Sequence, residues 1–112
     1  MVRTSDDLTA RTDVSGPVAR LSVGGEIDLS TAEDLRVALM AALAARPAPR
    51  RLEVDMAAVA FCDSSCLRVL VAVRAHGAEQ GTDVVVATAS APVLRVLEMV
   101  GLAETLAVPN GN

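Results

Sequence analysis

The stretch Phe61-Cys62-Asp63-Ser64-Ser65-Cys66-Leu67 sets two adjacent hydroxyls behind a carboxylate and between two thiols. Residues of these types can do chemistry in several ways. A serine beside a base can attack as a nucleophile. A hydroxyl at an exposed helix start can accept a phosphate. Paired thiols can bind a metal. A reading without chemistry also exists, because Asp and Ser ahead of an apolar run are ordinary helix N-caps.

Hydrolysis fails on the missing base. The single histidine, His76, lies twelve residues further along the same predicted helix. At about 100° per residue it sits roughly a third of a turn off the Ser64 face and about three turns away. The sequence has no G-x-S-x-G elbow. Nor is there a nucleotide site: Ser22-Val23-Gly24-Gly25-Glu26 lacks the phosphate-loop spacing, and the chain has no lysine. Cys62 and Cys66 have no nearby histidine or further cysteine to complete a metal site. The residues thus argue against a hydrolase, a kinase and an ATPase, and call for no cofactor or metal.

Phosphate acceptance and capping both remain open. At a helix start the free N–H groups and the dipole favour an added phosphate. Asp63, and Asp28 if its loop lies alongside, would repel it, so that the modification acts by spoiling a docking surface. The helix that follows is apolar nearly all round its first turns. Either it supplies part of that surface or it is core on two sides.

Composition narrows the partners. Of 112 residues 52% are hydrophobic but only 1% aromatic, so Phe61 cannot provide a base-stacking platform. The net charge is −4 and every basic residue is arginine. No basic patch suited to nucleic acid stands out, and Arg50-Arg51 reads as a strand start. The free-cysteine usage suits a reducing, cytoplasmic setting. The start of the chain has no apolar signal core, and the apolar runs fall far short of the ~20 residues of a membrane helix.

The elements follow from periodicity. Leu8–Val14 and Val18–Val23 flank Ser15-Gly16-Pro17 as a hairpin, with Ala19, Leu21 and Val23 on one face. Ser30 to Glu33 reads as a capping box. Leu35, Ala38, Leu39, Ala42 and Leu43 then form one helical face, ended by Pro47 and Pro49. A strand with Leu52, Val54 and Met56 inward follows, then an apolar link from Ala57 to Cys62, then a helix to Glu79. Val84-Val85-Val86 suits a strand buried on both faces. Ser90 reads as the cap of a helix with Val93, Val96, Leu97 and Val100 on one face and Gly101 at its end. Glu104–Val108 reads as a last strand, and residues 1–6 and 109–112 as frayed ends. The fold class is α/β, with a mixed, mostly parallel sheet and right-handed crossovers.

Three segments carry a family resemblance: GEIDLSTAEDL at 25–35, FCDSSCLRVL at 61–70 and APVLRVLEMVGL at 91–102. In order and spacing they resemble the signatures of bacterial anti-sigma factor antagonists, which are STAS domains. The resemblance spans about residues 8–108 of a single domain, 1–112. It implies a mixed sheet with helices packed mainly on one side, and a regulator rather than an enzyme. It implies a partner that is an anti-sigma factor and usually a serine/threonine kinase, a sigma factor released on binding, and a serine phosphatase that resets the switch. By the same resemblance Ser64 is the phosphoacceptor, with Asp28, Asp63, Ser65 and Cys66 as its neighbourhood and the partner-docking turn. The chain departs from the family at Cys66, where glycine is usual. Cys66 reads either as a small buried hydrophobe or as a thiol made more acidic by the helix N-terminus. Other STAS proteins are unphosphorylated subunits of larger assemblies, such as lipid transporters or stress-signalling complexes, and that is the alternative reading.

Overall fold

In the computed structural model, which describes the backbone of Val2–Arg3 and residues 7–99 and 101, the hairpin forms where the turn signal places it. Strands β2 (Leu8–Ser15) and β3 (Val18–Ile27) pair antiparallel from Leu8↔Gly25 to Ser15↔Val18. The connecting Gly16-Pro17 has Gly16 at φ 59°, which a side chain resists and a two-residue hairpin loop requires. Ala19, Leu21 and Val23 face the core, as alternation predicts. Residues expected to fray contribute a short strand instead: β1 (Val2–Arg3) pairs antiparallel with Ala10 and Thr9.

Helix α1 (Ala32–Leu43) buries Leu35, Leu39, Ala42 and Leu43. Its start differs from the expected capping box. Thr31, not Ser30, is the N-cap, and no side chain caps the helix. The Asp28 carboxylate reaches the Ser30 and Thr31 N–H groups first, and Glu33 pairs with Arg36 rather than reaching back.

Strand β4 (Arg51–Cys62) is longer than expected, because the predicted link Ala57–Cys62 continues it. It lies parallel to β3, with register shifts between Ser22 and Gly24 and between Gly25 and Glu26. The shifts break the period-2 alternation, which hid this half of the strand from sequence reasoning. Gly25 sits at φ 102°, and a Cβ there would lie 2.1 Å from the Asp7 carbonyl oxygen.

Helix α2 (Ser64–Glu79) leads to β5 (Asp83–Ala89), parallel to β4, and then to α3 (Ala91–Met99). Val84, Val85 and Val86 are all buried. Val93 and Leu97 of α3 are fully buried, and Gly101 has the expected positive φ of 73°. Ser90 holds the N-cap position of α3, its carbonyl accepting the Leu94 N–H at 2.9 Å and its N–H donating to the Met56 carbonyl at 3.1 Å, but its hydroxyl is buried without a hydrogen-bond partner and makes no side-chain cap. The expected strand Glu104–Val108 and the core position Val100 lie outside the described residues.

The sheet order is β1-β2-β3-β4-β5. Strands β3, β4 and β5 are parallel and successive in space, so right-handed crossovers set α1 and α2 on one face, where they pack on each other. The opposite face carries ion pairs beside the buried Val85. Arg20 bridges Glu53 and Asp55 at 3.2 Å each, and Arg51 reaches Glu53 and Asp83. This is a mixed, mostly parallel α/β sheet with helices on one side.

Candidate functional site

The parallel strands β3 and β4 end together. Glu26 pairs with Phe61 and Ile27 with Cys62, and the Asp63 N–H then donates to the Ile27 carbonyl at 3.2 Å. That bond lays the β3–α1 loop beside the β4–α2 turn. Asp28, which sequence alone left conditional, is therefore a neighbour of the Asp63-Ser64-Ser65 turn.

Asp63 is the N-cap of α2, with extended backbone at φ −121° and ψ −170°. Its Oδ1 accepts the Ser65 N–H at 2.9 Å and the Ser65 hydroxyl at 2.5 Å. Capping thus occupies Asp63 and Ser65 and leaves Ser64 out. Ser64, the first helical residue, is exposed, and its hydroxyl makes no hydrogen bond among the described residues. An exposed hydroxyl with a free proton is the group that a modifying enzyme can reach. Ser65 is half-buried, and its hydroxyl is already donating to Asp63.

Asp28 is a fixed negative charge on the other side. Its carboxylate accepts the Ser30 hydroxyl at 2.6 Å and the Ser30 and Thr31 N–H groups at 2.9 and 3.2 Å. The Ser30 hydroxyl, followed by those backbone bonds, holds its pKa below the ordinary aspartate value against slight desolvation. Thr31 braces the loop from inside, donating to the Glu26 carbonyl at 2.8 Å.

Cys62 and Cys66 lie under the turn, 8% and 1% exposed. Cys66 therefore takes the place of the family's glycine as a core side chain and is not part of the outer surface. Cys62 and Leu67 occupy the two positions of a hydrophobic staple, before the cap and at the fourth helical residue, and both are buried. His76 is exposed in the last turn of α2. Twelve residues of helix put it about 18 Å from Ser64 along the axis, so it cannot act as a base there.

Sequence reasoning missed two flanking side chains. Leu29 is 84% exposed, directly after Asp28, and Phe61 is 48% exposed, two residues before Asp63. The clue for Phe61 was its standing as the sole aromatic residue, but reading Ala57–Cys62 as a link rather than as strand left its outward face unassigned. On α2, Arg68, Val71, Ala72 and Ala75 are exposed while Leu67, Val69, Leu70 and Val73 are buried. The helix is thus core on one side and a partly apolar surface on the other. Among the described residues no group of three or more metal-ligating side chains occurs, and no helix is long and apolar enough to cross a membrane.

A mixed sheet whose parallel strands end in an acidic, hydroxyl-bearing turn defines a class of regulatory binding domain, and the comparisons name it. The family described as "Mlab, STAS domain" matches residues 10–108. An anti-sigma factor antagonist from Mycobacterium paratuberculosis is 33% identical, with a TM-score of 0.78 over 94% of this chain and 87% of that one. The Bacillus cell fate determinant SpoIIAA in its phosphorylated form gives 0.67 at 16% identity, over 91% and 92% of the two chains. A sulfate transporter family protein from Wolinella succinogenes gives 0.69 at 19%, over 86% and 79%. No match is found among the curated proteins. The chain belongs to the STAS domain family, which includes the anti-sigma factor antagonists.

Proposed function

We propose that this protein is an anti-sigma factor antagonist, cytoplasmic and without enzymatic activity, whose docking is switched off by phosphorylation of Ser64. The observation that carries the reading is the exposed, unbonded Ser64 hydroxyl at the first position of α2, with Asp63 before it and Asp28 alongside. The partner is an anti-sigma factor that is also a serine/threonine kinase, and a serine phosphatase reverses its action. Two comparisons support the reading: the 33%-identical structure is an anti-sigma factor antagonist, and SpoIIAA has a phosphorylated form.

The switch works by charge. A phosphate adds about −1.5 to −2 charges at neutral pH. It finds the Ser65 N–H already taken by the Asp63 carboxylate, so it is repelled where a bare helix start would have welcomed it. Leu29 and Phe61 supply exposed apolar anchors at the same end of the sheet, and the partner buries them only when the turn between them is not overcharged. The wild type and Ser64→Ala should bind the cognate kinase–anti-sigma protein, and Ser64→Asp should bind more weakly. Equal binding by Ser64→Asp and wild type in titration calorimetry would refute the switch.

A second reading rests on the likeness to a transporter-family protein together with Cys66 in the glycine position. In it the chain is an unphosphorylated subunit of a larger assembly. Site mapping of protein from native cells separates the two, because only the first predicts phosphate on Ser64.

A further inference from the structure

The first turns of α2 carry a cation without a counter-ion. Arg68 is exposed, four residues after Ser64 on the same helix. Residues four apart on a helix are neighbours, with about 5–6 Å between their Cβ atoms. Helical side chains tilt toward the N-terminus, so Arg68 leans back over the turn that bears Ser64. Arg20, Arg36 and Arg51 are each paired with carboxylates, whereas Arg68 makes no ion pair among the described residues. The residues three and four positions from it are Ser64, Ser65, Val71 and Ala72, none of them acidic. Asp63, five positions back, is engaged by the Ser65 N–H and hydroxyl.

We infer that Arg68 is an internal phosphate clamp: when Ser64 carries a phosphate, the guanidinium folds back one turn, holds it and keeps it doubly charged. The inference rests on Ser64 as the acceptor and adds the residue that lets the modification keep its full charge.

The surrounding charges make the clamp necessary. Asp63 precedes Ser64, Asp28 lies alongside, and Glu26 is exposed at the end of β3. On α1, which packs on α2, Glu33 is tied to Arg36, and Asp34 lies in the same first turn. Like charges disfavour the charged form, so these carboxylates favour a phosphate that keeps its second proton. A phosphoserine loses that proton near pH 6; a rise leaves it partly monoanionic at neutral pH and blunts the switch. Arg68 opposes the rise. A guanidinium can meet two phosphate oxygens with parallel N–H donors, and an acid one turn ahead of a base is the favourable order along a helix. The helix start gives less, because the Ser65 N–H already bonds Asp63. Arg68 also borders the exposed Val71 and Ala72, so folding back moves a cation off that surface as the phosphate arrives.

The test uses the full-length chain with Ser64 replaced by phosphoserine during translation, so no kinase is needed. Phosphorus NMR follows the second ionisation of the phosphate against pH at low salt, with Arg68 present and in Arg68→Ala, Arg68→Lys and Arg74→Ala. The ionisation constant should fall about twofold or more in Arg68→Ala. It should hold in Arg74→Ala, whose site lies ten positions from Ser64. Arg68→Lys should fall between, since it keeps the charge but loses the paired donors. Salt at about 1 M should shrink the differences. Equal constants with and without Arg68 at low salt would overturn the inference, as would an equal fall in Arg74→Ala. If Arg68→Ala fails to fold, the Arg68 side-chain nitrogen resonance decides: it should move as the phosphate loses its second proton, and a fixed resonance overturns the clamp. A chain from native cells without phosphate counts against Ser64 as acceptor, a result the installed phosphoserine keeps separate from this one.

Discussion

At the scale of single residues, the site rests on a division of labour among three neighbours. Asp63 caps, Ser65 is capped, and Ser64 is left over. Replacing Asp63 by Ala removes the acceptor of both bonds, and N-cap losses of this kind cost ~1 kcal/mol. Urea denaturation of Asp63→Ala should show that loss as a lower midpoint at unchanged slope, since a local cap does not alter the surface exposed on unfolding. Ser64→Ala breaks no bond and should unfold within about 0.5 kcal/mol of wild type. The contrast separates the residue that holds the turn from the proposed phosphoacceptor. The sequence showed both readings of the triplet but could not assign them, because either hydroxyl can serve as a cap until the backbone fixes which residue has extended geometry.

At the scale of elements, the parts that position the turn depend on close approach. Gly77 lies on the buried side of α2, where a Cβ would stand 2.7 Å from Val84 Cγ2 and 2.9 Å from the Thr82 carbonyl oxygen. In an exposed helix, Gly to Ala stabilises by up to ~1 kcal/mol. Here the new methyl meets backbone that cannot give way, and overpacking of this kind costs about 1–3 kcal/mol. Gly77→Ala should therefore lower the melting temperature, as calorimetry would show; a rise would mean that α2 slides freely on β5. The far end of α2 is held as well: Gln80 donates to the Leu43 carbonyl and the Thr82 hydroxyl to the Pro49 carbonyl. The helix that carries Ser64 is thus pinned at its base and capped at its tip. Its amphipathic run was visible in the sequence. The pinning was not, since Gln80 and Thr82 look like ordinary turn residues until α1 is packed against them.

At the scale of the whole molecule, one sheet face makes the core and the other is a lattice of ion pairs. Asp55 is partly buried, which raises its pKa, but bonds from the Ala57 N–H, the Thr88 hydroxyl and Arg20 outweigh this and hold it below the ordinary value. A carboxylate with a depressed folded-state pKa adds stability that is complete above its unfolded value and is lost as pH falls through the folded value. Stability should thus hold down to about pH 5 and fall below about pH 4, the range of an unfolded aspartate. In Arg20→Ala the Asp55 contribution should be smaller at neutral pH and its loss complete at a higher pH, because one source of the depression is gone; unfolding midpoints against pH would record it. At the other end, Leu29 and Phe61 are exposed together beside the turn, while the other exposed large apolar side chains among the described residues, Val14, Val37, Val71 and Met99, belong to other elements. Phe61→Ser should weaken partner binding at least tenfold, ~1.4 kcal/mol, and leave the urea midpoint little changed. A large loss of stability instead would show the ring to be structural.

Periodicity determined the hairpin, the inward faces of β3 and α1 and the alternation of strands with helices, because each depends on side chains within a few residues of one another. The resemblance pointed to Ser64 on the same local footing. Tertiary structure decided the rest. The Ile27–Asp63 bond placed Asp28 beside the turn, the pairing of β4 with β3 carried the strand on through Phe61 to Cys62, and the cap geometry left Ser64 unbonded. Each of these depends on a register or a packing between segments distant in the chain, and no local pattern of hydrophobicity encodes such a register.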